Sequence, residues 1–146
     1  MTPPPGRLLA IDYGSKRIGF ALSDEMGWAG EPLEVWAKKS KPADLDHIAR
    51  LVAEHEVKRV LIGVPNRLDG TAGDAAQRAL AFAETVRARI APVPVDTRDE
   101  ALTTFEAYDR MRARGIPEKK HKALVDAYAA LVLLDEELSV LRDPST

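Results

Sequence analysis

The stretch Arg7-Leu8-Leu9-Ala10-Ile11-Asp12-Tyr13-Gly14-Ser15-Lys16-Arg17-Ile18-Gly19-Phe20-Ala21-Leu22 decides the fold. Arg7 to Ile11 reads as a buried strand and Ile18 to Leu22 as its partner. Gly14-Ser15-Lys16 supplies the turn, so the two form a hairpin. Asp12 stands at the carboxyl end of the first strand, the end outside which open α/β sheets gather ligands. An aspartate there can also serve its own turn by a local hydrogen bond, and the position alone does not separate the two uses.

Upstream, Pro3-Pro4-Pro5 cannot donate to a ladder, so residues 1–6 read as an extended or disordered lead. This lead has no apolar signal-like core, and no stretch approaches the ~18 to 20 apolar residues of a membrane span, so a cytoplasmic protein without membrane contact is expected. Downstream, residues 33–37 read as a third strand. Ser40 and Pro42 then precede an apolar stripe at Leu45, Ile48, Ala49 and Val52, which predicts a helix to about His55. Arg59 to Val64 is a short run apolar on both faces, as a central parallel strand requires. After the polar loop from Asn66 to Gly73, residues Ala76, Ala79, Leu80, Ala83 and Val86 mark a second helix. Val93-Pro94-Val95 reads as a short edge strand. Two helices close the chain, from about Thr103 to Arg114 and from Glu118 to Leu138, with Gly115 and Pro117 as stop and start signals. Residues 7–138 therefore form a single α/β domain with a mixed sheet, and 139–146 are a tail.

The chain's 146 residues are enough for one hydrophobic core. It has no cysteine and three scattered histidines, which excludes disulfides and thiolate metal sites and supplies a His-based zinc site poorly. Acidic residues are what remain for chemistry. Asp96, Asp99 and Glu100 crowd the exit of the last strand, before a helix whose expected caps are Thr103 and Thr104. Any one of them could simply complement the helix dipole. Asp126 lies within the final helix on a stripe with Ala129, Ala130 and Leu133, while Leu124, Tyr128, Leu131, Leu134 and Leu138 make a second apolar stripe. A charge on a buried face must be paired or bound to metal. Lys122 or Arg110 could be the partner. Alternatively, the small Ala127, Ala129 and Ala130 let the helix approach the sheet and carry Asp126 towards Asp12 and Glu100. Three converging carboxylates repel at roughly 4 kcal/mol per pair at ~4 Å, so without metal the cluster holds a proton. Hard cations such as Mg²⁺ or Mn²⁺ allow full ionisation, and two such ions suit in-line phosphodiester hydrolysis.

The ordered set Asp12-Tyr13-Gly14 with Ile18-Gly19-Phe20-Ala21, Gly63-Val64-Pro65 with Asp69-Gly70-Thr71, Asp99-Glu100-Ala101-Leu102-Thr103-Thr104, and Asp126 with Ala129-Ala130 resembles the YqgF/RuvX family. The resemblance runs from Arg7 to Leu138. It implies an RNase H-like fold, with a five-stranded mixed sheet whose first three strands are antiparallel and the rest parallel, flanked by helices. It further implies a divalent-metal-dependent nuclease with Asp12, Glu100 and Asp126 as both catalytic residues and metal ligands, holding two Mg²⁺ or Mn²⁺ ions. The reaction implied is maturation of the 5′ end of pre-16S rRNA, with Holliday-junction resolution on branched DNA as the alternative. Ala101 stands where the family usually has arginine.

A nucleic-acid partner, RNA or branched or single-stranded DNA, also fits a basic segment. Between Arg110 and Lys122 there are six Lys or Arg and one Glu, a local +5 in a chain of net −2. Arg110, Arg112, Arg114, Lys119, Lys120 and Lys122 are thus candidate phosphate contacts, with Lys16 and Arg17 beside Asp12 and Arg98 before Glu100. An ordinary solvated loop is the alternative. Trp28 and Trp36 are available for base stacking or for core or dimer packing, and a homodimer is expected by analogy with resolvases. Two further readings stay open: a non-catalytic nucleic-acid-binding module, and a phosphate-binding hairpin of the sugar-kinase type, which needs a second domain.

Overall fold

The computed structural model describes residues 5–66, 73–100 and 103–142. Asp69-Gly70-Thr71, Ala101 and the two extreme ends of the chain lie outside the described residues. The elements are β1 (Arg7–Tyr13), β2 (Arg17–Ser23), β3 (Gly30–Ala37), α1 (Lys41–Glu54), β4 (Val57–Val64), α2 (Asp74–Ile90), β5 (Val95–Asp99), α3 (Thr103–Ala113) and α4 (Glu118–Arg142).

The strands form one sheet in the order β3-β2-β1-β4-β5. β1, β2 and β3 are antiparallel neighbours, whereas β4 joins β1 and β5 joins β4 in parallel. The mixed sheet expected from the hairpin is therefore present, with β1 at its centre. Side chains alternate across a strand, and here the alternation sorts residues between two cores. Leu9 and Ile11 of β1, Ile18 and Phe20 of β2, and Val60 and Ile62 of β4 pack with α1 and α2. Leu8 and Ala10 of β1, Ala21 of β2 and Leu61 of β4 pack with α3 and α4 on the opposite face. By the same period, Asp12, Gly19 and Gly63 belong to the α4 face and Tyr13 to the α2 face.

Besides β3, which begins at Gly30 rather than at residue 33, three features differ from the sequence reading. The last strand does not centre on Val93-Pro94-Val95 but runs from Val95 to Asp99, pairing with β4 from Val60↔Val95 to Val64↔Asp99. Pro94 precedes it and contributes only its carbonyl, which accepts the Val60 N–H at 3.0 Å. The polar run Asp96-Thr97-Arg98-Asp99 is tolerated because β5 is an edge strand, exposed along much of its length. α4 continues to Arg142, so the first four residues assigned to the tail are helical. Nor is α4 a two-striped amphipathic helix: every residue from Ala127 to Leu134 is buried, because α3 covers the side turned away from the sheet. α1 begins as expected, with Ser40 Oγ accepting the Ala43 N–H at 3.2 Å.

The far half of α4 is fastened to the sheet edge by charge. Buried Glu137 accepts from Arg59 of β4 at 3.2 Å and from Arg98 of β5 at 3.0 Å; Arg59 also reaches Asp96 at 2.6 Å and Arg98 reaches Glu136 at 3.3 Å. Removing the shared acceptor strands two guanidinium groups against the helix. Glu137→Ala is expected to lower unfolding stability by about 3 kcal/mol, discounted for the partial exposure of both arginines. Urea titration of the two proteins measures the loss.

Candidate active site

Glycine, where a side chain would block contact, builds the site. Asp12 pairs with Gly19 across the β1–β2 ladder. A Cβ on Gly19 would lie 2.0 Å from the backbone oxygen of Asp126 and 2.7 Å from the Ala127 nitrogen. The backbone of α4 thus rests directly on β2, and this contact brings Asp126 to the end of β1. Buried Ala127, Ala129 and Ala130 provide the small surface expected on the helix side, but the sheet side of the approach is a glycine whose role the sequence reading did not single out. Gly63 does the equivalent for Glu100: a Cβ there would lie 2.3 Å from Glu100 Oε2. The Glu100 N–H donates to the Val64 carbonyl and its own carbonyl accepts from the Thr103 N–H, each at 3.1 Å. Glu100 is therefore pinned between the end of β4 and the start of α3.

The three sequence-predicted carboxylates meet. Asp12, Glu100 and Asp126 line one cavity of about 660 Å³ at the carboxyl ends of β1 and β4. Tyr13, Gly14, Ser15, Lys38, Pro65, Asn66, Ala75, Arg78, Thr103 and Thr104 complete its wall. Burial pushes the Asp12 carboxyl up to about 6; a hydrogen bond from Glu100 offsets part of that rise, and the charge of Asp126 adds to it. Glu100 is pushed up to about 10, first by burial and then by the neighbouring charge of Asp12. The pair therefore shares a proton at neutral pH.

Asp126 is held differently. Its Oδ2 accepts from Arg17 Nε at 2.9 Å, so its cation is Arg17 of β2 and neither Lys122 nor Arg110. Arg110 is instead bonded to Asp135, because α3 and α4 run side by side and bring those two together. With Asp126 turned to Arg17, no three acidic or histidine side chains among the described residues are already grouped as a ligand set. The chemistry of the donors nevertheless fits a hard cation: three carboxylates line one cavity, and Glu100 Oε2, packed against Gly63, is buried with no hydrogen-bond partner among the described residues.

The expected phosphate contacts are scattered. Arg98 reaches Glu136 and Glu137 on the far half of α4. Arg112 pairs with Asp109 and Arg114 with Glu31. Lys16, Lys119, Lys120 and Lys122 are exposed and make no ion pair among the described residues. Trp36 packs against α1, its Nε1 donating to Asp44 at 2.9 Å and its ring stacked on His47. Trp28 is 65% exposed, but it follows β2 and so lies at the opposite end of the sheet. Lys38 and Arg78, not predicted, line the cavity itself. They come from the end of β3 and from α2, remote in sequence from every acidic motif, and no local signal marks them.

A mixed sheet of this order, with carboxylates at the end of its central strand and on the helix across it, defines an RNase H-like fold of the resolvase type. The RuvX family, described as Holliday junction resolvase, matches residues 6–140, and the chain belongs to that family. A relative from Anaeromyxobacter sp. is 42% identical over 128 residues, covering 88% of this chain and 93% of its own. One from Halalkalibacterium halodurans is 39% identical over 130 residues, covering 88% and 92%. Both are named as candidate pre-16S rRNA nucleases. Among solved structures, Thermus thermophilus RuvC in complex with a Holliday junction superposes with a TM-score of 0.57 at 15% identity, covering 94% of this chain and 96% of that one. Fowlpox virus resolvase with Holliday junction DNA gives 0.60 at 12%, covering 92% and 98%. At such identity these two likenesses speak for the fold alone.

Two predictions follow from the geometry. Gly19→Ala forces backbone against backbone and should cost about 3 kcal/mol in urea unfolding. Gly63→Ala meets only the movable end of Glu100, so about 1 kcal/mol is expected. The second concerns pH. The folded values of Asp12 and Glu100 lie above the ordinary 3.8 and 4.5, so folding favours their protonated forms. That contribution is full below pH ~4 and is lost as pH rises through about 6 for Asp12 and towards about 10 for Glu100. In chelator, Glu100→Gln should therefore match wild type in melting temperature below pH 4 and exceed it by a margin that widens up to pH 9.

Proposed function

We infer that this protein is a divalent-metal-dependent nuclease that hydrolyses phosphodiester bonds at the 5′ end of pre-16S rRNA. The observation that carries the reading is the meeting of Asp12, Glu100 and Asp126 in one cavity, arranged by the close approaches at Gly19 and Gly63. Family membership and the relatives' name supply the substrate class. Asp12, Glu100 and Asp126 would hold the metal, Glu100 having one oxygen with no hydrogen-bond partner among the described residues and Asp126 being paired with Arg17 in this structure. Mg²⁺ or Mn²⁺ bound there would activate water and stabilise charge on the phosphoryl oxygens.

The chain's own groups set the conditions for that chemistry. Glu100 must lose its proton for the carboxylates to act together as ligands, so ion uptake is coupled to proton release and weakens as pH falls. The Arg17 guanidinium, freed from Asp126, becomes a donor to phosphate at the same edge of the cavity. The site lies at one end of the sheet, open to a polymer passing over it.

Resolution of branched DNA is a second reading, favoured by the description of the matched family. A purely binding module is a poorer fit, because a retained cluster of carboxylates repels a polyanion unless cations sit between them. The test uses a pre-16S rRNA fragment and a four-way DNA junction, each labelled, with Mn²⁺ or chelator. Wild type with Mn²⁺ is expected to cut the RNA. Asp12→Asn and Asp126→Asn should each reduce the rate by about two orders of magnitude or more, and chelator should abolish it. Equal cutting by all three proteins would refute the assignment, and preferential cutting of the junction would move the substrate to DNA.

A further inference from the structure

Of the arginines expected to contact phosphate, Arg17, Arg98, Arg110, Arg112 and Arg114 are all engaged by carboxylates. Lys38 and Arg78 are not: among the described residues neither makes an ion pair, yet both line the cavity that contains the three acidic residues. Tyr13, next to Asp12, stacks on Phe82 of α2 with ring centroids 3.9 Å apart and planes within 10°. Arg78 lies one helical turn before Phe82, on the same side of α2. Lys38 Nζ sits 4.1 Å from the centre of the Tyr13 ring and donates to the Gly14 carbonyl at 3.3 Å. The aromatic pair thus seats Lys38 beside Asp12, and α2 brings Arg78 to the same cavity.

The two cations also occupy a definite side. Tyr13 and Phe82 belong to the α1/α2 face of the sheet, whereas Asp126 comes from α4 on the other. The cavity therefore crosses the end of the sheet, with free positive charge on one flank and the carboxylates at its middle and opposite flank.

We propose that Lys38 and Arg78 form a clamp on the sugar–phosphate backbone, gripping the phosphates that flank the scissile one on the α2 side. This rests on the nuclease reading for the word scissile, but the clamp itself is a binding claim. The two residues hold the strand and take no part in bond breaking, so they act as positioning residues. Their contribution should appear in affinity and its salt dependence.

The test measures fluorescence anisotropy of a labelled single-stranded RNA oligonucleotide, with Ca²⁺ in place of Mn²⁺, across a salt series. Wild type is compared with Lys38→Met, Arg78→Gln and Arg50→Gln, the last an exposed arginine on α1 outside this cavity. Lys38→Met and Arg78→Gln should each weaken binding about 5- to 10-fold at low salt and make the salt slope shallower by about 0.7. Arg50→Gln should change neither, and Lys38→Arg should restore affinity, which separates lost charge from a folding defect. In Mn²⁺ cleavage assays, KM should rise with kcat changed by less than about threefold. The clamp is overturned if either variant behaves as Arg50→Gln does, or if wild type does not bind the oligonucleotide. Binding that depends on both residues without cleavage would sink the nuclease reading and leave the clamp; cleavage indifferent to both would do the reverse.

Discussion

The backbone of α4 lies against Gly19 of β2, and the rest of the site depends on that contact. Helix and strand approach this closely only where a side chain is missing, since a Cβ would sit 2.0 Å from the Asp126 carbonyl oxygen. The consequence is chemical as much as mechanical. Asp126 is carried to the end of β1, where Asp12 faces the same helix because alternation along the strand leaves it no other face. Gly30 repeats the device further along, where a Cβ would meet Leu134 at 2.5 Å. α4 is thus seated at two glycines and clasped at its far half by Glu137 between Arg59 and Arg98.

A second constraint is electrostatic. Burying Asp12 and Glu100 side by side keeps a proton in the site at neutral pH, and Asp126 is stabilised by a borrowed cation, Arg17. Both arrangements avoid a bare charge on a carboxylate removed from water. Arginines beside acidic residues on neighbouring helices pair with them, as Arg110 does with Asp135. Within the cavity, Lys38, held over the Tyr13 ring, and Arg78 carry positive charge that makes no ion pair among the described residues.

Much was legible in the chain. The Gly14-Ser15-Lys16 turn between two apolar runs gives the hairpin, the β-branched run ending at Val64 the parallel strand, and the period changes at Asp44 and Ala76 the helices. Asp126 stands out because an acid inside an otherwise apolar helix is costly without a use, and Asp12 by its place at a strand end; the choice of Glu100 among Asp96, Asp99 and Glu100 rests on the family resemblance. The edge strand β5 was misplaced because strands flanked on one side only carry no apolar alternation. The end of α4 was set too early because Ser139 and Arg142 are polar without being helix breakers.

Local periodicity, turn chemistry and the cost of burying charge act over a few residues, so the sequence alone determined the element order, the mixed sheet and the acidic candidates. Which cation each acid meets is decided by distances between elements far apart in the chain. Arg17 reaching Asp126 across 109 residues, and Lys38 and Arg78 lining the same cavity as Asp12, exist only once the sheet has closed and the helices have packed against it.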